Sequence, residues 1–338
     1  MIFRFALLAL VFIASFAHAD TGASNLRAET NKSFSKVLLP EQEKKLKGWE
    51  HLYYLLRDKS SVSDKKLFSI FSDNRMPKWR PVYFKVKPKE SKRPYKRRLT
   101  RDEVNNALRF YKNNWESFQN LKLGYNVPAS IVLSILQIES RCGSFTGNAK
   151  VFYRLARLAS TSKPENLAKT FKKENRRNSK IQSKDVALRA NWLVDTFLPH
   201  AIAAIKVAEM KKVHPLALKG SRAGALGYPQ FLPGNYLSFG IDGDKNKQVN
   251  LSTADDAIPS VANFLKAHGW QSEKLSPEKQ AKIIWHYNRS EPYIQTIMRF
   301  AKKLERGMDR INRTKAKDLK PSAPGLIKLL SDKQPQIN

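Results

Sequence analysis

The sequence predicts a mainly α fold, on three observations. Apolar side chains recur at three- and four-residue spacing along most of the chain. Helix-start signals punctuate it, either Thr followed three residues later by an acid or proline at a first turn. Strand signals are scarce: only Pro81 to Val86 alternates as a strand would, inside a proline-rich stretch.

In chain order, residues 1–19 read as an export signal. Met1 to Arg4 is a short positive start, and Phe5 to Phe16 is an apolar run below the roughly 20 residues that a membrane span needs. Ala17-His18-Ala19 then forms a small-x-small cleavage site before Asp20. No cysteine stands there for lipid attachment, so the expected product is exported, periplasmic or secreted, soluble, without a membrane span and not a lipoprotein. Residues 20–36 are expected to be a flexible lead-in, and 37–120 a helical N-terminal part. Within that part, residues 76–101 hold eleven bases, one acid and four prolines, a composition that favours an extended crossing of the surface.

Thr100 and Glu103 form a capping box, after which Val104, Leu108, Tyr111, Trp115 and Phe118 share one helical face. Asn126-Val127-Pro128 opens a helix whose apolar run, Ile131 to Ile138, ends at Gly143. Lys163 to Lys184, with eight bases and two acids, reads as a solvated face. A second capping box, Thr253 to Asp256, precedes Ile258, Val261, Ala262 and Leu265, and Gly269 stops that helix. Ser276-Pro277 and Ser290-Glu291-Pro292 open two more. Residues 306–338 are expected to be a basic flexible tail.

Among the 338 residues, 41% hydrophobic and 10% aromatic content can build a real core, which excludes a low-complexity chain. The 62 Lys and Arg against 29 Asp and Glu give +33, or +32 once the signal is removed, and favour anionic partners. Anionic wall polymers fit an exported protein better than nucleic acid, for which no motif is present and no binding is expected. The single cysteine, Cys142, excludes an intramolecular disulfide.

Chemistry enters at Glu139, which shares a helical face with Ile131, Val132 and Ile135. A carboxyl aimed inward loses water, which disfavours its charged form and suits a general acid. Periodicity alone leaves open a structural glutamate paired with Arg141 or Arg189. Residues 219–233 place three glycines in eight positions among hydroxyl, amide and phenol groups, which suits a sugar site and lacks the spacing of a nucleotide loop. Trp285-His286-Tyr287-Asn288 adds stacking and amide groups at a helix end.

Together these motifs resemble the B family of lytic murein transglycosylases. The residues that match are Glu139-Ser140-x-x-Gly143, Lys219-Gly220-Ser221-x-Ala223-Gly224-Ala225-x-Gly227-Tyr228-x-Gln230-Phe231-x-Pro233, Ala262-Asn263 with His268-Gly269-Trp270, and Tyr287-Asn288. The resemblance implies a lysozyme-like catalytic domain over 121–305 and cleavage of the MurNAc-GlcNAc bond of peptidoglycan with 1,6-anhydromuramoyl ends. It implies Glu139 as the single acid and then base, and Ser221, Tyr228, Gln230, Tyr287 and Asn288 as substrate-binding residues. The partner expected is the peptidoglycan glycan strand, met by a monomer. The alternatives are a catalytically weak peptidoglycan-binding protein of the same fold and a lysozyme-type hydrolase.

Relatives also carry a calcium loop, which Asp242-x-Asp244-x-Asn246-x-Gln248 echoes. Position six is Lys247 instead of glycine and position twelve is Thr253 instead of an acid, with Asp255 as the substitute carboxylate. No cofactor is expected, and Asp242, Asp244 and Asn246 are weak metal candidates. Cys142 lacks a histidine base and is expected to be a packing residue.

Overall fold

The computed structural model describes residues 38–88, 99–272 and 274–318. The export signal, the 20–36 lead-in, residues 89–98 of the basic crossing and the last twenty residues lie outside them. The architecture is helical, with one two-residue antiparallel bridge among the described residues.

Three short helices come first, α1 (Pro40–Lys45), α2 (Glu50–Lys59) and α3 (Asp64–Ser72), joined by a cluster of Trp49, Tyr53 and Phe71. Phe71 also packs edge-on against Phe152, which ties this part to the rest of one continuous core. A strap over residues 73–88 then crosses the surface without regular structure. Pro81 to Val86, whose alternation is strand-like within the expected extended crossing, finds no partner strand among the described residues: Val82 N–H donates to Asn166 Oδ1 and Val86 N–H to Glu174 Oε2. Side-chain acceptors satisfy the backbone there, so a ladder is unnecessary.

Next come α4 (Arg101–Asn113), α5 (Trp115–Gly124) and α6 (Ala129–Ser140). Thr100 Oγ1 accepts from Glu103 N–H, as a cap should. Glu103 itself turns inward and is 5% exposed. β1 (Ala149–Lys150) leads into α7 (Val151–Ala159) and α8 (Pro164–Asn175). The long α9 (Ser183–Met210) packs along α7, and β2 (Lys219–Gly220) pairs Ala149 with Gly220 and Lys150 with Lys219. The chain closes with α10 (Pro233–Phe239), α11 (Ala254–Ala267), α12 (Pro277–Tyr287) and α13 (Glu291–Asp318).

α6 is the central helix, packed by α4, α5, α11 and α13. The helix α4, from the expected N-terminal part, thus belongs by contact to the body around α6. α13 also runs past the expected boundary at 305. Met308 is 6% exposed, and Asn312 Oδ1 accepts from Tyr111 OH at 2.7 Å and Trp115 Nε1 at 2.9 Å. Those buried anchors hold as helix a segment whose composition reads as tail.

Candidate active site

Pro128 pre-sets the start of α6, and every residue from Ser130 to Ile138 is buried. Glu139, in the last turn, is half-buried. The helix stops because Arg141, Cys142 and Gly143 turn left-handed, at φ 51°, 52° and 91°. Arg141 N–H donates to Gln137 O and Cys142 N–H to Leu136 O, each at 3.0 Å. Glycine is required at 143, where a Cβ would lie 2.2 Å from the Tyr228 ring.

The hydroxyl of Tyr293, a residue only 1% exposed, donates to Glu139 Oε1 at 2.7 Å. Tyr287 lies nearly parallel to Tyr293, with ring centroids 6.5 Å apart at 9°, and its hydroxyl donates to Pro229 O at 2.6 Å. Burial, and then the charge of Glu139, hold the Tyr287 phenol well above its ordinary value. A carboxyl fixed by one tyrosine and adjoined by another can pass a proton to a group bound beside it.

The structure brings Tyr287 to this glutamate and Tyr228 to the end of its helix. Tyr228 packs over Gly143, and its carbonyl accepts from Ser140 Oγ at 2.8 Å. Two of the other expected sugar contacts are used in building the loop. Ser221 Oγ accepts from Ala223 N–H at 3.3 Å and Ala225 N–H at 3.1 Å, while Gln230 Nε2 donates to Gly227 O at 2.8 Å and Thr146 O at 3.3 Å. Asn288 is half-buried and extended, and ends α12.

Arg141, one partner considered for Glu139, instead forms an ion pair with the buried Glu103 of α4. Gln137 Nε2 also donates to Glu103, and Asn106 Nδ2 donates to Gln137 Oε1 at 2.9 Å. Arg189 lies over the Trp192 ring, 4.0 Å from its centroid. Cys142 Sγ donates to Gln137 Oε1 at 3.1 Å, and burial pushes its thiol well above the usual range, so it is no nucleophile. Tyr293 and Glu103 are the residues that sequence reasoning missed. The Ser290-Glu291-Pro292 start signal puts Tyr293 in a first turn but cannot say which helix faces it.

The calcium-like loop keeps part of its expected form. Asp242, Asp244 and Asp256 have carboxylate oxygens within 4.8 Å of one another. The third acid is therefore Asp256, fully buried, and not Asp255, whose Oδ1 accepts from Ser117 Oγ. Lys247 does take the left-handed conformation, at φ 71°, so lysine is no geometric bar there. Each carboxylate is already engaged. Asp242 accepts from Asn246 and Lys247 N–H, Asp244 from the Asn246 backbone and amide, and Asp256 from Gly243 and Asn250 N–H. Asp256 thus clasps the loop instead of completing a capping box with Thr253, whose side chain caps nothing. Three carboxylates, each already accepting N–H donors, thus face one another in a loop whose position twelve is Thr253.

Residues 58–280 match the family model described as a transglycosylase SLT domain. The membrane-bound lytic murein transglycosylase B of Escherichia coli K12 is 33% identical over 175 residues, which are 52% of this chain and 41% of that protein. The match thus spans less than half the length of that curated relative. Among solved structures, Escherichia coli SLT35 in complex with bulgecin A superposes with a TM-score of 0.58 at 19% identity, covering 77% of this chain and 93% of that one. Pseudomonas aeruginosa SltB1 gives 0.57 at 21%, covering 80% and 99%. SltB3 of the same organism, solved with a NAG-anhNAM-pentapeptide, gives 0.53 at 18%, covering 77% and 80%. These likenesses fix the fold as the lysozyme-like one of lytic transglycosylases, with an extra helical N-terminal part. With about two thirds of its length under the family model, the chain belongs to the transglycosylase SLT domain family.

Proposed function

We propose that the protein is an exported lytic transglycosylase that cleaves the MurNAc-GlcNAc bond of peptidoglycan and leaves 1,6-anhydromuramoyl ends. The observation that carries this reading is Glu139, presented at the end of a buried helix and held by the Tyr293 hydroxyl at 2.7 Å. In the reaction, the Glu139 carboxyl protonates the glycosidic oxygen, and the bond from that oxygen to muramoyl C1 breaks. The resulting carboxylate takes the proton of the muramoyl 6-hydroxyl as that oxygen bonds to C1. Proton and bond counts close without water, so one carboxyl serves where ordinary glycosidases need two.

Tyr293 holds the carboxyl through both halves of the cycle, and Tyr287 and Tyr228 form the wall beside it. Ser221, Gln230 and Asn288 shape the sugar-binding loops. Calcium takes no part in any step. Digestion of purified peptidoglycan followed by product mass analysis tests the reading: anhydro ends are lighter than hydrolysed reducing ends by one water. Reducing ends alone would make the protein a hydrolase, and no release at all would leave it a binding protein.

A further inference from the structure

Away from the glutamate, the corner where α8 meets α9 is both apolar and strongly basic. Leu167, Ala168 and Phe171 of α8 line an open groove with Val186 and Ala187 of α9, and the exposed Lys184 lines it too. Leu188, one helical turn beyond Lys184, is 68% exposed, the largest fraction among the exposed large apolar side chains of the described residues. A single exposed leucine is ordinary, but a leucine beside an open apolar groove extends it into a patch.

Residues 163–189 hold nine bases and three acids. Each acid is already engaged within the protein. Glu165 lies 3.4 Å from Lys163 Nζ, Glu174 Oε2 accepts from Val86 N–H at 2.9 Å, and Asp185 Oδ2 accepts from Gln182 N–H at 2.9 Å. Lys169, Lys172, Arg176, Lys180 and Lys184 are exposed, and no carboxylate among the described residues forms an ion pair with them. Lys172 follows groove-lining Ala168 by four residues, as Leu188 follows Lys184, so bases and leucine border the same groove.

An apolar floor with a rim of unpaired bases complements a surface that is anionic at the top and apolar just beneath it. The headgroup and upper acyl layers of an anionic bilayer have that profile. A wall glycan or a nucleic acid is polar along its outer face and would leave Leu188 and Phe171 without a role. Lysine suits the bilayer, because its stem lies along apolar surface while the ammonium stays among the headgroups. No described helix is long and apolar enough to cross a membrane, so the contact is one of lying on the surface.

We propose that the α8–α9 corner is a peripheral docking face for an anionic lipid bilayer. Leu188 and the groove enter the headgroup layer, and Lys172, Arg176 and Lys184 meet lipid phosphates. The inference goes beyond the proposed function, and neither depends on the other.

The test is co-sedimentation with vesicles of phosphatidylcholine alone, or of phosphatidylcholine and phosphatidylglycerol in equal parts. The protein is the exported form beginning at Asp20, so that the apolar run of residues 5–16 plays no part. Wild type is compared with Leu188→Gln, with K172Q/K184Q, and with K112Q/K302Q, which removes the same charge from exposed positions on α4 and α13. Wild type should bind the anionic vesicles at least about tenfold more tightly than the neutral ones, since each surface base adds to the attraction. Leu188→Gln and K172Q/K184Q should each weaken that binding by about fivefold or more, against less than about twofold for K112Q/K302Q. All three should keep the wild-type Tm and the wild-type cleavage of soluble glycan fragments, because the altered side chains are exposed.

Equal binding to both vesicles, binding to neither, or a control that loses as much as K172Q/K184Q would overturn the proposal. So would wild-type binding by Leu188→Gln, or an equal loss of affinity for lipid-free sacculi in the same two variants, which would give the face to the wall. A Tm lowered by several degrees in either variant would make its side chains structural and count against the face as well. Vesicle binding without cleavage of peptidoglycan removes the proposed function alone, and cleavage without vesicle binding removes this face alone.

Discussion

The contact between Tyr293 and Glu139 sets how the acid is presented, because a buried hydroxyl 2.7 Å from one carboxyl oxygen limits the rotamers of that side chain. Glu139→Gln keeps the shape and loses the proton, so cleavage should fall by about 10²–10⁴-fold with an unchanged circular dichroism spectrum. Retained turnover would place the acid elsewhere. Tyr293→Phe keeps the ring and removes this hydrogen bond, and a drop in kcat with little change in KM is expected in steady-state assays. Tyr287 stays protonated because its phenol is held high, so a rate that falls as pH rises reports proton loss from Glu139. The same fall should persist in Tyr287→Phe, and a rate flat from about pH 5 to about pH 9 would contradict a general acid. Glu139 was legible in the sequence because helical periodicity fixes which face a residue shares. Its hydrogen-bond partner was not, because Tyr293 is 154 residues away and no local signal encodes a contact between helices.

At the scale of elements, the loop from Phe239 to Asp256 is held by backbone donors converging on buried Asp256. Thermal unfolding with EDTA and with excess calcium should give midpoints within about a degree, since a ligand stabilises only in proportion to its affinity for the folded state. A reproducible calcium-dependent rise of several degrees would show a cage that these hydrogen bonds conceal. His200 of α9 supplies a second test. Burial pushes its imidazole down to about 4 from the ordinary 6.5, and its Nδ1 accepts from Gly234 N–H at 3.1 Å. Above pH 6.5 both folded and unfolded chains hold it neutral. Below that, the unfolded chain takes up the proton first, so stability drains away between about pH 6.5 and about pH 4, by about 3 kcal/mol in the limit. Urea titrations across that window should show a loss that His200→Asn removes; an unchanged slope in the variant would assign the loss to other groups. The helix starts at Thr100, Ser276 and Ser290 could be read from sequence because caps are local. The start at Thr253 could be read too, but its capping box could not, because Asp256 is drawn to the two N–H groups of a loop that only the fold brings near.

Across the whole molecule, +33 is distributed unevenly: residues 74–88, 140–164 and 210–241 hold no acid, and α7 meets both the strap and the glycine-rich loop. Sedimentation with intact sacculi should weaken as salt rises from about 50 to about 500 mM, through screening and counterion release. Binding indifferent to salt would mean that the charge serves something else. Composition gave the sign and size of this charge, but not where it gathers, which depends on α7 meeting a loop some seventy residues on.

The last described helix carries another meaning. α13 supplies the tyrosine that orients Glu139, and through Asn312 it ties down Tyr111 and Trp115, which lie 201 and 197 residues earlier. Contacts of such sequence separation form late, since a long loop must close before they give anything back. A growing chain therefore owns its acid long before it owns the means to aim it. With Glu139 as the acid of the proposed function, the polypeptide should stay inactive during synthesis until its last described helix docks.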